Sequence, residues 1–182
     1  MGVKVMKKLV SVLVVVMCLM GARTAKAQGI AMRTNLAEWA LMSPNLGVDL
    51  VLNEFSTFNI SVGATVSELY FKDAMVQHGT VEYRYWFSHQ PYENFFLGLQ
   101  FQPAHYKMKL HHNNQDVTHT GIAAPVGFNF GYSWPLNSKF NLEACYGAGW
   151  IFYNNNCSLS GDSHNKTFST TNFGVNITYI LK

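Results

Sequence analysis

The stretch KFNLEACYGAGWIFY, residues 139–153, decides the fold. Phe140, Leu142, Ala144, Tyr146, Ala148, Trp150 and Phe152 hold the even positions, while Asn141, Glu143, Cys145, Gly147 and Gly149 are polar or small. A period of two is the signature of a β-strand with two unlike faces. This strand is too long, and too apolar on one side, for an ordinary half-exposed sheet.

Working outward, seven more segments carry strand character. They run about Ile30 to Leu41, Asn45 to Asn53, Thr57 to Leu69, Gly79 to Ser88, Asn94 to Met108, Thr120 to Trp134 and Thr167 to Leu181. In the fourth, Val81, Tyr83, Tyr85 and Phe87 alternate with Glu82, Arg84 and Trp86. Pro125, on the polar face of the sixth, demands a local explanation because proline removes a ladder donor.

Connections after the second, fourth and sixth strands are short: 54–56, 89–93 and 135–138. Those after the third, fifth and seventh are long and polar: 70–78, 109–119 and 154–166. Short turns on one rim and long loops on the other characterise outer-membrane barrels. Strands of about 9–11 residues cross the apolar layer, and lipid forbids an open sheet edge. The expectation is all-β: a single eight-stranded antiparallel up-and-down transmembrane β-barrel of the outer-membrane type, residues 28–182.

A soluble β-sandwich or lipocalin-like barrel would invert the faces, with the apolar one inside. Gly63, Gly98, Gly127, Gly131, Gly147, Gly149 and Gly174 favour the membrane reading, because all share the polar face. Small and polar residues fit a crowded eight-stranded lumen. Tyr85, Trp134, Tyr146, Trp150 and Tyr179 on the apolar face suit interfacial girdles.

Residues 1–27 read as an export leader. Lys4, Lys7 and Lys8 precede an apolar run from Leu9 to Met20, shorter than the roughly 20 residues a membrane helix needs. Ala25-Lys26-Ala27 fits a cleavage site, so the mature chain is expected to start at Gln28. An uncleaved anchor is the alternative. Lipidation at Cys18 is disfavoured, since Val15-Val16-Met17 lacks small residues. Of 13 basic residues, five lie in the leader, leaving eight against ten acidic ones and a mature net charge of −2. No nucleic-acid partner is expected of such a chain. Cys145 and Cys157 remain after cleavage and read as separate thiols.

TNLAEWALMSPNLGVDLVL (34–52), VEYRYWF (81–87), NFFLGLQFQPAHY (94–106) and GFNFGYSWPLNSKFNLEACYGAGW (127–150) together resemble a family of outer-membrane barrels from Bacteroidetes, the domain of unknown function DUF3575. Their order and spacing carry the match across nearly all of the mature chain. The resemblance implies the barrel fold and no enzymatic residues. A fimbria-like surface assembly is the partner class it suggests. The terminal Tyr179-Ile180-Leu181-Lys182 lacks the final aromatic common in such barrels.

Arg33, Asp49, Glu82, Arg84 and Glu143 all fall on lumen-facing positions. Buried charges are costly unless paired, so an internal ionic network is expected, with the two arginines bridging the carboxylates. Its functional counterpart would be a gated conductance path or proton-linked switch. His111, His112, Asp116 and His119 crowd one loop with metal-ligand chemistry, although a hydrophilic loop collects such residues without binding metal. No cofactor is expected. His105, Ser160, Ser163, His164 and Glu68 are the side chains available for lipid chemistry, and nothing ties them into a triad. The loop 154–166 is polar and suits display to a partner.

The expected location is the outer membrane of a Gram-negative bacterium, in contact with its lipid. The expected role is structural or interactive: anchoring, surface-structure or fimbria-related assembly, or loop display. A lipid-modifying enzyme is the chief alternative, and a small porin the third.

Overall fold

The computed structural model describes residues 29–65, 74–112, 115–155 and 166–181. The leader, Cys18 and Cys157 lie outside the described residues, as do Glu68, Ser160, Ser163 and His164. Nine strands follow one another: β1 Gly29–Asn35, β2 Asn45–Asn53, β3 Ser56–Ala64, β4 Ala74–Trp86, β5 Asn94–Phe101, β6 Ala104–His112, β7 Gln115–Pro135, β8 Phe140–Asn155 and β9 Lys166–Ile180. A short helix, α1, spans Leu36–Ala40 between β1 and β2.

All pairings are antiparallel and the sheet closes on itself, with β1 bonded to both β2 and β9, and β3 to β4. β5 and β6 form one stave. Val81 faces Phe101 and His78 faces Ala104 on one side, while Phe101 faces Val126 and Ala104 faces Ala123 on the other. The register does not slip across the break at Gln102-Pro103. The nine strands therefore make eight staves of a closed antiparallel barrel. The rim with the short turns, the start of β1 and the end of β9 is here the turn end, and the opposite rim the loop end.

Burial follows the alternation in reverse of a soluble protein. Asn129 is 0% exposed between Phe128 at 58% and Phe130 at 56%. Along β8, the deciding strand, Asn141, Glu143 and Cys145 are buried while Phe140, Tyr146 and Trp150 are exposed. The polar side chains are inside and the apolar belt outside. This is the outer-membrane arrangement, because a water-facing belt of that kind would be a large uncompensated apolar patch. Ring pairs gird the turn end: Phe95 with Tyr132 at 4.7 Å, Tyr132 with Trp134 at 4.7 Å and Phe140 with Tyr179 at 4.9 Å. Trp150 and Phe168, 5.1 Å apart, sit toward the loop end. Tyr146 belongs to neither girdle. It lies mid-strand and its hydroxyl meets Thr170 Oγ1 at 2.8 Å.

Several boundaries differ from the sequence expectation. The first strand stops at Asn35 rather than Leu41, because the Asn35 side chain accepts from Ala37 N–H and caps α1. An Asn cap before the good helix formers of Leu-Ala-Glu-Trp-Ala outweighs the strand pattern locally. β3 ends at Ala64, and β4 starts at Ala74 rather than Gly79. The connection 109–119, expected as a loop, is mostly ladder: β6 and β7 pair out to His112 and Gln115. In β9, Gly147 faces Asn172 and Ala148 faces Thr170, leaving Thr171 as an extra, bulged residue.

Candidate functional site: the lumen

Four staves deliver the charged centre of the lumen. Arg33 comes from β1, Asp49 from β2, Glu82 and Arg84 from β4, and Glu143 from β8. Each sits on an inward position, and each is at most 6% exposed. Arg84 is gripped most closely, with Nη2 2.8 Å from Glu82 Oε2 and Nη1 2.7 Å from Glu143 Oε2. Arg33 reaches Asp49 Oδ1 at 3.1 Å, and Glu82 Oε2 and Glu143 Oε1 at 3.5 Å each. Two guanidiniums thus hold three carboxylates in one connected cluster.

Neutral amides also bind the carboxylates. Asn129 donates to Glu82 Oε1 at 2.7 Å, Asn176 to Glu143 Oε1 at 2.6 Å and Asn59 to Asp49 Oδ1 at 2.5 Å. Glycines on neighbouring staves make room for these groups. A Cβ on Gly98 would stand 2.5 Å from Glu82 Oε1. The glycine placement seen in the sequence therefore has a local cause: large inward side chains on one stave face missing ones on the next.

Below the ions, toward the turn end, the lumen is aromatic. Trp86 stacks against Phe96 at 5.0 Å and Tyr92 at 5.6 Å, with Ala31 and Cys145 in the same core. The Arg84 guanidinium lies 4.3 Å above the Phe96 ring and joins this layer to the charges. Tyr92 comes from the connection between β4 and β5, which the sequence suggested was merely a short turn. Instead the segment folds inward. Ser133 Oγ donates to the Tyr92 carbonyl at 2.8 Å, and Asn141 Nδ2 donates to it as well. His89, Tyr92 and Asn94 have positive φ (56°, 69° and 62°), which lets the segment between Trp86 and Asn94 reverse the chain while one side chain enters the barrel. Burial pushes the Tyr92 hydroxyl well above its ordinary pKa, and the nearby Asp49 charge adds to the push. Inward position of Trp86 and Phe96 was legible from alternation; the Tyr92 plug was not.

Above the ions the lumen changes character. A cavity of about 40 Å³ is lined by Asn35, Glu38, Asn45, His78, Gln102 and Asn172, with Arg33 and Arg84 at its floor. Glu38, on α1, is the link to the rim. Asn35 Nδ2 donates to its Oε1 at 3.3 Å, and its Oε2 lies 3.3 Å from His78 Nε2. His78 Nδ1 in turn meets Gln102 Nε2 at 3.2 Å. Neither Glu38 nor His78 was singled out from sequence, since both lay in segments read as an outward strand end and a loop.

The remaining candidates are not gathered into this site. His111 faces Asp116 and His112 faces Gln115 across the β6–β7 hairpin, with His119 opposite Met108. Register puts His111 and Asp116 on one face of that hairpin and His112 and His119 on the other. The four side chains lie outside the described residues. Among the described residues, no group of three or more His, Cys, Asp or Glu is arranged for a metal. His105 projects outward on the exposed face of β6. Cys145 is a buried free thiol.

A closed eight-stranded barrel with a charged, plugged lumen and an apolar exterior is a protein of the outer-membrane β-barrel class. The chain belongs to the family described as "Protein of unknown function (DUF3575)", whose model matches residues 12–181. Among solved structures it is similar to the N-terminal β-barrel domain of Pseudomonas aeruginosa OprF. That match has 10% identity and a TM-score of 0.47, and it covers 84% of this chain and 96% of the other. No curated protein matches it in sequence.

Proposed function

We infer that this protein is a rigid scaffold in the outer membrane of a Gram-negative bacterium, exported by a leader cleaved after Ala27. In this reading its turn end lies in the periplasm, and its loop end presents hairpins to a protein partner in a surface or fimbria-like assembly. The observation that carries the reading is strand length. β7 has 21 residues and β8 has 16, whereas about 9–11 suffice to cross the apolar layer. The excess of β7 at the loop end pairs with β6 in a β-hairpin standing roughly 20 Å above the belt, allowing 3.3 Å per residue and a tilt near 45°. A stiff, hydrogen-bonded projection with polar tips suits partner docking better than a slack loop does.

The plugged turn end speaks against the porin alternative. Trp86, Tyr92 and Phe96 fill the section below a charged cluster that fills the next. Planar-bilayer recordings should show no conductance steps for the native barrel. A stable open level would revive the porin.

A photo-crosslinking residue at Thr118, in the projecting hairpin, tests the partner directly. In growing cells it should yield an adduct with a surface-assembly protein, absent when the label is moved to lipid-facing Leu97. Lipid adducts alone at both positions would refute the display role. Lipid A of unchanged mass in a deletion strain is expected; a lost acyl or phosphate change would favour the enzyme reading.

A further inference from the structure

At one level two neighbouring staves lose ladder bonds together. Gly79 N–H donates to the Pro103 carbonyl at 3.0 Å, and Gln102 N–H donates to the Pro125 carbonyl at 2.9 Å. In an antiparallel pair of this kind a second bond runs back between the same two residues. Proline nitrogen has no hydrogen to give. The carbonyls of Gly79 and Gln102 therefore face proline nitrogens and lack their ladder donors, side by side in the wall.

The exterior at this level is a notch. Gly79, Pro103 and Ala124 stand abreast on three adjoining staves, and a Cβ on Gly79 would find its nearest neighbour 3.8 Å away. Along the outer face of the broken stave the residues read Phe101, Pro103, His105 and Lys107 from the turn end to the loop end, with His105 and Lys107 exposed. The order is apolar, then hydrogen-bond acceptors, then cationic. Within a bilayer a backbone acceptor without a donor costs several kcal/mol. Whatever covers the notch must therefore supply N–H or O–H at the acceptor level and an anion beyond it.

We propose that this proline seam is a lateral binding site for the N-acylated, phosphorylated lipid of the outer leaflet, lipid A. An acyl chain lies against Phe101, amide N–H and hydroxyl groups donate to the Gly79 and Gln102 carbonyls, and a phosphate meets Lys107. Lys107 is four residues from Pro103, roughly 13 Å along the strand, and its flexible stem lets the ammonium approach the headgroup. The site rests on the membrane reading above, with the loop end outward.

Amide spectra of the isotope-labelled mature chain in phosphatidylcholine nanodiscs test it. Diphosphoryl lipid A should shift the amides of Gly79, Gln102 and Ala104 saturably. Pro103→Ala with Pro125→Ala restores both donors in strand-compatible backbone, so that variant should fold at least as well and lose the response. Lys107→Ala should weaken affinity about fivefold, the value of one basic residue at a charged lipid surface. Phosphatidic acid, with phosphate and chains but no amide, should leave these amides still. An equal response to phosphatidic acid, or a response that survives in the double variant, overturns the proposal. So does a response to ceramide 1-phosphate with none to lipid A. A chain that does not insert into the nanodisc overturns the membrane reading as well; a chain that inserts with unmoved seam amides overturns the lipid site alone.

Discussion

The two halves of the lumen are built from the same alternating strands, yet they solve opposite problems. Toward the turn end the lumen is filled with bulk and paired charge: Trp86, Phe96 and the inserted Tyr92 pack beside small inward residues such as Ala31, Gly131 and Ser133, with the arginine–carboxylate cluster above them. Toward the loop end the inward positions carry mostly amides and hydroxyls around a cavity, under a short helix tied by its Asn35 cap and by the Glu38–His78 contact. The wall differs too. Around the aromatic half the β2–β3 ladder shifts register once, between Val51 and Asn53, while two prolines remove ladder donors from adjacent staves beside the cavity. The turn half has the features of a folding core, and the loop half those of a region able to rearrange.

Arg84→Ala should produce the largest loss. It would leave Glu82 and Glu143 buried without their closest cation, and breaking a buried pair from one side costs about 3–5 kcal/mol. Urea unfolding in lipid vesicles, read by the gel-mobility difference between folded and unfolded barrel, measures it. Arg33→Ala should cost less, since its contacts are longer at 3.1–3.5 Å. Equal losses for the two would mean that the cluster acts as one unit rather than through Arg84.

Gly98→Ala sharpens the comparison at intermediate scale. The added methyl would press on Glu82 Oε1 and drive it off its bonds to Asn129 and Arg84. Overpacking of this sort costs about 1–3 kcal/mol. Gly79→Ala, outward at the seam with its nearest neighbour 3.8 Å away, should fall within about 0.5 kcal/mol, the usual range for surface changes. If both glycines tolerate alanine alike, the turn-ward half is no tighter than the rest.

The alternation of β4 and β8 was enough to place Arg84, Glu82, Glu143 and Trp86 in the lumen, because a strand's period is fixed by its backbone. It also gave Asn45–Asn53 its true bounds. Three things escaped it. Asn35 ended β1 through a side-chain cap that competes with the ladder, and that cap creates the helix carrying Glu38. Tyr92 entered the lumen through positive-φ residues in the turn between Trp86 and Asn94, a conformation that His89 and Tyr92 do not announce. Pro103 lies on a stave whose register continues unbroken, and its coincidence with Pro125 exists only once the adjoining staves are aligned. Period reports which face a residue takes; it does not report where a turn folds back or which gaps coincide across strands. The pairing of arginines with particular carboxylates was likewise beyond it, since four staves must be aligned before any distance exists.

Glu38→Gln should have a small effect on stability and the most local one. The substitution keeps the side chain's shape and its acceptance from Asn35, and removes only the charge facing His78. Glu38 is about a quarter exposed, so solvent screens the pair and its loss should cost no more than about 1 kcal/mol. Hydrogen exchange separates this from the deeper changes. Amides of α1 and of the adjoining end of β4 should exchange faster in the variant, while those of β5 beside Phe96 stay as protected as in the native barrel. Faster exchange at Phe96 as well would show that the α1 contact supports the whole lumen. The two halves would then be coupled through the charged cluster between them, and the loop half could not move without loosening the plug.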